Sequence, residues 1–144
     1  MMESENIYHE IIGYESVKER FCFIRYLLDH QKELRKKHVH IQRGALLYGF
    51  HGKTFMAKVF AKQTNRYICE ISSMDKRGKI RSKLDSISLE LKAGKECILL
   101  LLELDTIVED SKKDEFLRCF IAEHQNSDMF ILATASKKDS NLRE

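Results

Sequence analysis

The residues best suited to chemistry stand in the run LLYGFHGKTFMAKVFA, which covers residues 46–61. At its centre are Gly52, Lys53 and Thr54. In a phosphate-binding loop, a strand and a glycine turn lead into a helix that begins with these residue types. Backbone N–H groups there surround one phosphate, the lysine reaches the outer phosphates, and the hydroxyl holds Mg²⁺. The run therefore carries groups that can bind a phosphorylated ligand.

The spacing of this loop departs from the usual motif. Four residues normally separate its first glycine from Gly-Lys-Ser/Thr, whereas only Phe50 and His51 separate Gly49 from Gly52. We interpret His51 as an exposed turn residue and assign it no catalytic role. Two interpretations of the loop stay open, namely a site that still binds phosphate and a helix start kept from an ancestor.

A second set of candidate groups follows the apolar run CILLLLELD. Glu103 and Asp105 come where that run ends. Carboxylates are residue types that can act in general acid–base chemistry, and ligands of α/β sheets bind where the strands end. The plainer alternative is that both are polar residues ending a buried strand.

Apolar periodicity predicts the elements that must position these groups. Helices are expected at residues 15–37, 53–63, 81–92 and 112–123, and strands in GALLYG, RYICEIS, CILLLLELD and MFILATA. Alternating helices and strands predict an α/β fold with a mainly parallel sheet of about four strands. Ligands of such sheets bind at the carboxyl ends of the strands, and the first strand leads directly into the short loop.

Composition narrows the class of protein. The 144 residues suit one domain, and 43% hydrophobic with 33% charged residues is a globular balance. The net charge of +3 is too small to indicate nucleic acid. The longest apolar run is too short to span a bilayer, so we expect no membrane partner and a cytoplasmic or nuclear location. The four cysteines show no metal-ligand spacing and are expected to be buried free thiols.

Five segments, in order, carry a resemblance that extends over almost the whole chain. They are IIGYESVKERF, RGALLYG, KTFMAKVFA, CILLLLELDTI and FILATASKKD. Together they resemble the large subdomain of an AAA-type ATPase, the group that contains Cdc48-like segregases and proteasomal regulatory ATPases. The resemblance implies a three-layer P-loop sandwich in one domain, residues 1–144, with a helical segment at 1–43 and the core at 44–144. It also implies ATP or ADP and Mg²⁺ as cofactors.

The resemblance assigns roles to individual positions. Lys53 would contact the β- and γ-phosphates, Thr54 would bind Mg²⁺, Glu103 would polarise the attacking water, and Ser136 would stand at the sensor position near the γ-phosphate. The adenine would lie near Ile12 and Gly13. The full set of expected cofactor-binding residues is Ile12, Gly13, Gly49, Phe50, His51, Gly52, Lys53, Thr54 and Phe55.

Because the sequence departs from the family pattern at several places, we expect weak or absent hydrolysis. Leu102 stands where the family has the Walker B aspartate, and a leucine cannot help to hold Mg²⁺. Moving the register to use Asp105 would place Thr106 at the position of Glu103, so we reject it. Residues 73–79 lack the aromatic-hydrophobic-glycine element of the family's pore loop. The sequence stops before the arginine fingers, the last core strand and the helical lid.

The missing last strand would leave residues 45–48 as an edge strand. An apolar edge favours self-association or low stability. Three hypotheses of function follow: an ATPase that needs a partner to supply the lid and arginine fingers, a non-catalytic module that docks on AAA-type subunits, and, ranked lowest, a basic RNA-contacting domain. The last would use the cluster Lys76, Arg77, Lys79, Arg81 and Lys83, whose plainer interpretation is a solvated surface.

Overall fold

The computed structural model describes residues 15–38, 43–48 and 52–136, with the backbone alone at 15–18. The predicted nucleotide contacts at Ile12, Gly13, Gly49, Phe50 and His51 lie outside the described residues. The chain divides into two compact units, Met1–Arg43 and Gly44–Glu144.

The first unit contains helices α1, Glu15–Asp29, and α2, Gln31–Lys36. The prediction of one continuous helix is wrong at His30, whose φ of −115° and ψ of 15° leave the helical region. The His30 ring turns back, and its Nδ1 lies 2.9 Å from the carbonyl oxygen of Tyr26.

The second unit is built on four parallel strands in the order β1-β4-β3-β2. Their bounds are β1 Gly44–Tyr48, β2 Tyr67–Ser72, β3 Cys97–Leu102 and β4 Met129–Ala135. Within the described residues β1 therefore lies at an edge, as expected. It approaches β4 closely, because a Cβ on Gly44 would meet the carbonyl oxygen of Ile131 at 2.9 Å.

Helices cover both faces of this sheet. They are α3 Lys53–Gln63, α4 Arg77–Lys92, α5 Leu104–Ile107 and α6 Ser111–Glu123. All six residues of β3 are buried, which a parallel strand requires when helices lie on both sides. One face packs in a continuous apolar cluster with α4, α5 and α6, while Met56 and Phe60 on α3 are fully buried outside that cluster. The predicted three-layer α/β fold is confirmed.

Helix α4 begins four residues earlier than predicted, at Arg77. Gly78 and the neighbouring basic residues looked like a loop in the sequence. Ile80 is nevertheless fully buried, and its amide donates to the carbonyl oxygen of Lys76. Burial of one apolar residue in the first turns outweighs the poor helix propensity of glycine.

The four cysteines are all free thiols. The prediction that they are buried is correct for Cys69 and Cys97 and wrong for Cys22 and Cys119, which are exposed on their helices. Burial raises the pKa of Cys69 and of Cys97 to about 11. No helix in the described part of the chain is long and apolar enough to cross a membrane.

Candidate functional site

The parallel strands bring four chain segments to one end of the sheet. Ser72 pairs with Leu102 and Tyr48 pairs with Ala135, so the strands end at a common level. We call this end the carboxyl edge. It is formed by the residues that follow the strands: Gly52–Thr54 after β1, Ser73 after β2, residues 103–105 after β3 and Ser136 after β4.

The start of α3 is shaped for an anion. Gly52 precedes the helix with a φ of +83°, and its carbonyl oxygen accepts the amide of Met56 at 3.0 Å. Among the described residues nothing lies within 4 Å of the place where a Cβ on Gly52 would be. The first turn carries no acid, and its N-cap residue, a glycine, has no side chain that could cap it. Its N–H groups and the positive end of the helix dipole suit a phosphate.

The four residues of the first turn of α3 differ in exposure. Lys53 and Thr54 are partly exposed, whereas Phe55 is 51% exposed and Met56 is completely buried. The helix therefore presents an apolar ring beside its amino end, where a flat ligand could pack on it. Phe55 is one of the expected nucleotide contacts. Its exposure is compatible with that prediction but does not test it.

Glu103 is held firmly where β3 ends. Its backbone adopts the left-handed conformation, with φ of 60° and ψ of 55°, which costs a non-glycine residue about 1–2 kcal/mol. Its amide donates to Oγ1 of the fully buried Thr134 at 2.9 Å. Its Oε1 accepts a hydrogen bond from the Ser73 hydroxyl at 2.7 Å. Bonds from the two neighbouring strands therefore determine where this exposed carboxylate lies.

Asp105 joins the turn after β3 to the end of β4. Its Oδ2 accepts the amide of Ser136 at 3.1 Å. Its Oδ1 is buried and has no hydrogen-bond partner within residues 15–38, 43–48 and 52–136. The backbone at the expected sensor position is thus fixed to the same turn that carries Glu103.

A buried carboxylate fixes the turn after β2. Asp75 accepts a hydrogen bond from Lys83 at 2.7 Å and one from the Ser72 amide at 3.1 Å, and Lys79 lies 3.9 Å away. The Lys83 ammonium also donates to the carbonyl oxygen of Glu70. Burial alone would raise the pKa of Asp75, but these hydrogen bonds and the two lysine charges together lower it.

Acidic side chains of the same chain partly neutralise the basic cluster of residues 76–83. Besides the two lysines on Asp75, the Arg77 Nε donates to both oxygens of Asp110 at 3.1 Å. That hydrogen bond contributes most to a lowered pKa of Asp110. The Arg81 guanidinium lies 5.5 Å from the centre of the Phe116 ring. Arg77, Lys79, Lys83 and Arg81 of the cluster thus each have a partner within the chain, and whether the cluster contacts nucleic acid stays a prediction.

The groups that a bound Mg²⁺ needs are incomplete. Leu102 is 5% exposed and belongs to the buried part of β3, so it offers no oxygen. The described residues contain no group of three or more His, Cys, Asp or Glu side chains that could hold a metal. The Thr54 hydroxyl is the predicted Mg²⁺ ligand that the sequence keeps. The described residues therefore do not fit the usual Mg²⁺ site of a phosphate-binding loop.

The structure brings the sequence candidates Glu103 and Ser136 to the same edge as Gly52–Thr54. It also places Ser73 and Thr134 there, and these two were missed. Both are hydroxyl residues within one position of the carboxyl end of a strand next to β3. Small polar residues at such positions were the signal that could have found them.

A model of the family AAA, "ATPase family associated with various cellular activities", matches residues 45–143. The match begins in β1 and includes every described segment of the carboxyl edge. No curated protein matches the chain.

Proposed function

Since the chain belongs to the AAA family of ATPases, we propose that its carboxyl edge binds the phosphates of ATP or ADP and that hydrolysis is weak or lost. One observation carries the proposal: α3 begins with Gly52–Thr54 at the sheet edge that also holds Glu103 and Ser136. This is the edge where α/β sheets bind ligands.

In this proposal the backbone of α3 supplies most of the binding. The N–H groups of its first turn donate to one phosphate, and the Lys53 ammonium offsets the charge of the outer phosphates. The exposed ring of Phe55 packs against the nucleotide. Ser136, held through its amide by Asp105, lies on the γ-phosphate side.

The same edge explains why hydrolysis would be impaired. Phosphoryl transfer depends on a metal ion to offset the developing charge, and the residue at 102 is a buried leucine. Glu103 keeps a carboxylate for the attacking water, but its Oε1 already accepts the Ser73 hydroxyl. A base without its metal partner contributes little.

A second candidate function is a non-catalytic module that docks on AAA-type subunits. The burial of Leu102 favours it, because the metal position has become part of the apolar core. In that case the motif on α3 would serve only as a helix start.

Titration with a fluorescent ATP analogue, with and without Mg²⁺, separates the two candidates. We expect saturable binding that Lys53→Ala weakens at least tenfold. The matched control is Lys62→Ala, an exposed lysine in the last turn of the same helix, which should bind as the wild type does. Absence of binding at millimolar nucleotide would exclude the first candidate and leave the docking module.

Phosphate release, measured with saturating nucleotide and excess Mg²⁺, tests the second half of the proposal. We expect release close to the uncatalysed background for the wild type and for Glu103→Gln alike. Turnover within the range of ordinary enzymes, about 1–1,000 s⁻¹, lost in Glu103→Gln, would show that hydrolysis persists without an acid at position 102.

A further inference from the structure

Helix α1 has apolar residues on two opposite faces. Phe21, Ile24 and Leu28 follow helical spacing on one face and are at most 4% exposed. On the other face Phe23 is 60% exposed and Tyr26 is 56% exposed. A helix that is apolar on both faces has a second surface to cover, and large exposed aromatic residues mark interaction sites.

The exposed face forms a stripe with a polar side chain at each end. We define the α1 stripe as Glu19, Phe23 and Tyr26 on one side of the helix together with His30, which directly follows it; they recur at intervals of four, three and four residues. The rings of Tyr26 and His30 already pack together, with centroids 4.3 Å apart. The stripe therefore runs from a carboxylate through two aromatic rings to an imidazole.

The stripe is complementary to itself when reversed. We propose that it pairs with the α1 stripe of a second copy of this chain, with the two helices antiparallel about a two-fold axis. A centre midway between Phe23 and Tyr26 places each of these rings opposite the other kind of ring. The same centre places Glu19 of one copy opposite His30 of its partner.

The two polar ends of the stripe, Glu19 and His30, are too far apart to contact each other within one chain. Glu19 and His30 stand eleven positions apart, which is roughly 16 Å along a helix. Across the two-fold axis they meet. The His30 Nδ1 already lies beside the Tyr26 carbonyl oxygen, so Nε2 is the ring nitrogen left to meet the partner's carboxylate. The antiparallel dimer would therefore contain two Glu19–His30 contacts, one at each end of the paired stripes.

A single helix face limits the strength of this association. The stripe covers three turns of one helix. The area that it can bury is therefore well below the ~800 Å² per partner of a standard interface. We therefore expect a weak, concentration-dependent dimer with a Kd above about 10 μM. The aromatic centre supplies most of the affinity, because truncation of central aromatic residues usually costs most at interfaces.

Sedimentation equilibrium from micromolar to millimolar protein tests the proposal. We expect the wild type to dimerise and Phe23→Lys to stay monomeric over the whole range. The matched control is Leu89→Lys, which changes an apolar residue of 68% exposure on α4 and should dimerise as the wild type does. Circular dichroism checks that each variant keeps its helix. A monomeric wild type, or a dimer that Phe23→Lys retains, would overturn the proposal.

A charge exchange distinguishes antiparallel pairing from every other arrangement. Glu19→Lys and His30→Glu should each weaken the dimer about two- to fivefold, as expected of exposed ion pairs. The double variant places lysine opposite glutamate across the axis and should recover the wild-type Kd. A double variant that is weaker than either single one would contradict the antiparallel register.

Discussion

Two turns at the carboxyl edge have opposite kinds of support. The turn after β3 is fixed by side chains, since Thr134, Ser73 and Asp105 hold Glu103 and Ser136 through three hydrogen bonds. The start of α3 has a glycine as its N-cap residue, which offers no capping side chain and adopts a left-handed φ. One turn is positioned by its neighbours, and the other by its own backbone.

This difference follows from what each turn would do in the proposed site. A side chain that must point at one water gains from being held by partners. A loop that surrounds a phosphate must leave its N–H groups open, so side-chain caps would compete with the ligand. A left-handed residue occurs at both turns, but glycine adopts that conformation freely, whereas Glu103 pays for it.

We expect the largest effect from Thr134→Val, which removes a hydrogen bond that positions Glu103. Valine has nearly the same shape but no acceptor, so the Glu103 amide loses its partner, and we expect a loss of about 1–3 kcal/mol in unfolding free energy. Urea unfolding measures the loss. Thr134→Ser keeps the acceptor, and the Glu103 amide should remain protected from hydrogen exchange in that variant alone. Equal protection in both variants would contradict the role of the hydroxyl.

Gly52→Ala tests the turn that relies on its backbone. The left-handed φ costs alanine about 1–2 kcal/mol, although there is space for the methyl group. We expect this loss in unfolding free energy, together with weaker binding of the ATP analogue. Gly78→Ala is the matched control: it lies inside α4 with equal space, and it should gain about 0.5–1 kcal/mol. Similar losses in the two variants would argue against a conformational cause.

Replacing Glu103 isolates the backbone strain of its turn. Both Glu103→Ala and Glu103→Gly lose the hydrogen bond from Ser73, but only glycine adopts the left-handed conformation without strain. We therefore expect the glycine variant to be more stable by about 1 kcal/mol in thermal unfolding. Alanine as stable as glycine would mean that the turn carries no strain.

The smallest effect concerns the pH dependence of the turn that holds Ser73. Because the pKa of Asp75 is lowered in the folded protein, its stabilising contribution is present at neutral pH and is lost as pH falls through the folded pKa. The stability difference between the wild type and Asp75→Asn should therefore narrow below about pH 4. Lys83→Met removes the main hydrogen-bond donor and should reduce this pH dependence. If the stability difference between the two proteins widened in acid, the conclusion that folding lowers the pKa of Asp75 would be wrong.

The sequence predicted elements whose apolar pattern is continuous. The bounds of α3 and β4 match the expectation, because α3 buries one regular face and β4 is an almost continuously apolar and buried run. The break at His30 was missed, since it leaves the apolar spacing of the helix unchanged. The early start of α4 was missed because residues 76–79 look like a solvated loop, whereas Ile80 beside them is fully buried.

The support of the candidate site could not be predicted. Ser73 and Glu103 stand thirty positions apart, and Glu103 and Thr134 thirty-one. Which hydroxyl meets which partner depends on strand order and register, neither of which follows from spacing. The candidates Lys53, Thr54 and Glu103, by contrast, were chosen from residue type, the flanking strands and the family resemblance, none of which needs the strand order.

The pairing of β1 has a consequence for the time course of synthesis. In the described sheet β1 pairs with β4 and with no other strand, and β4 is the last of the four strands to be made. At the ordinary pace of translation, roughly 5–15 s pass between the two. During that interval the strand that leads into the Gly-Lys-Thr segment has no strand partner in this sheet. Newly made chains would therefore spend those seconds with an apolar segment open to chaperones, and the pace of the ribosome would influence the yield of folded protein.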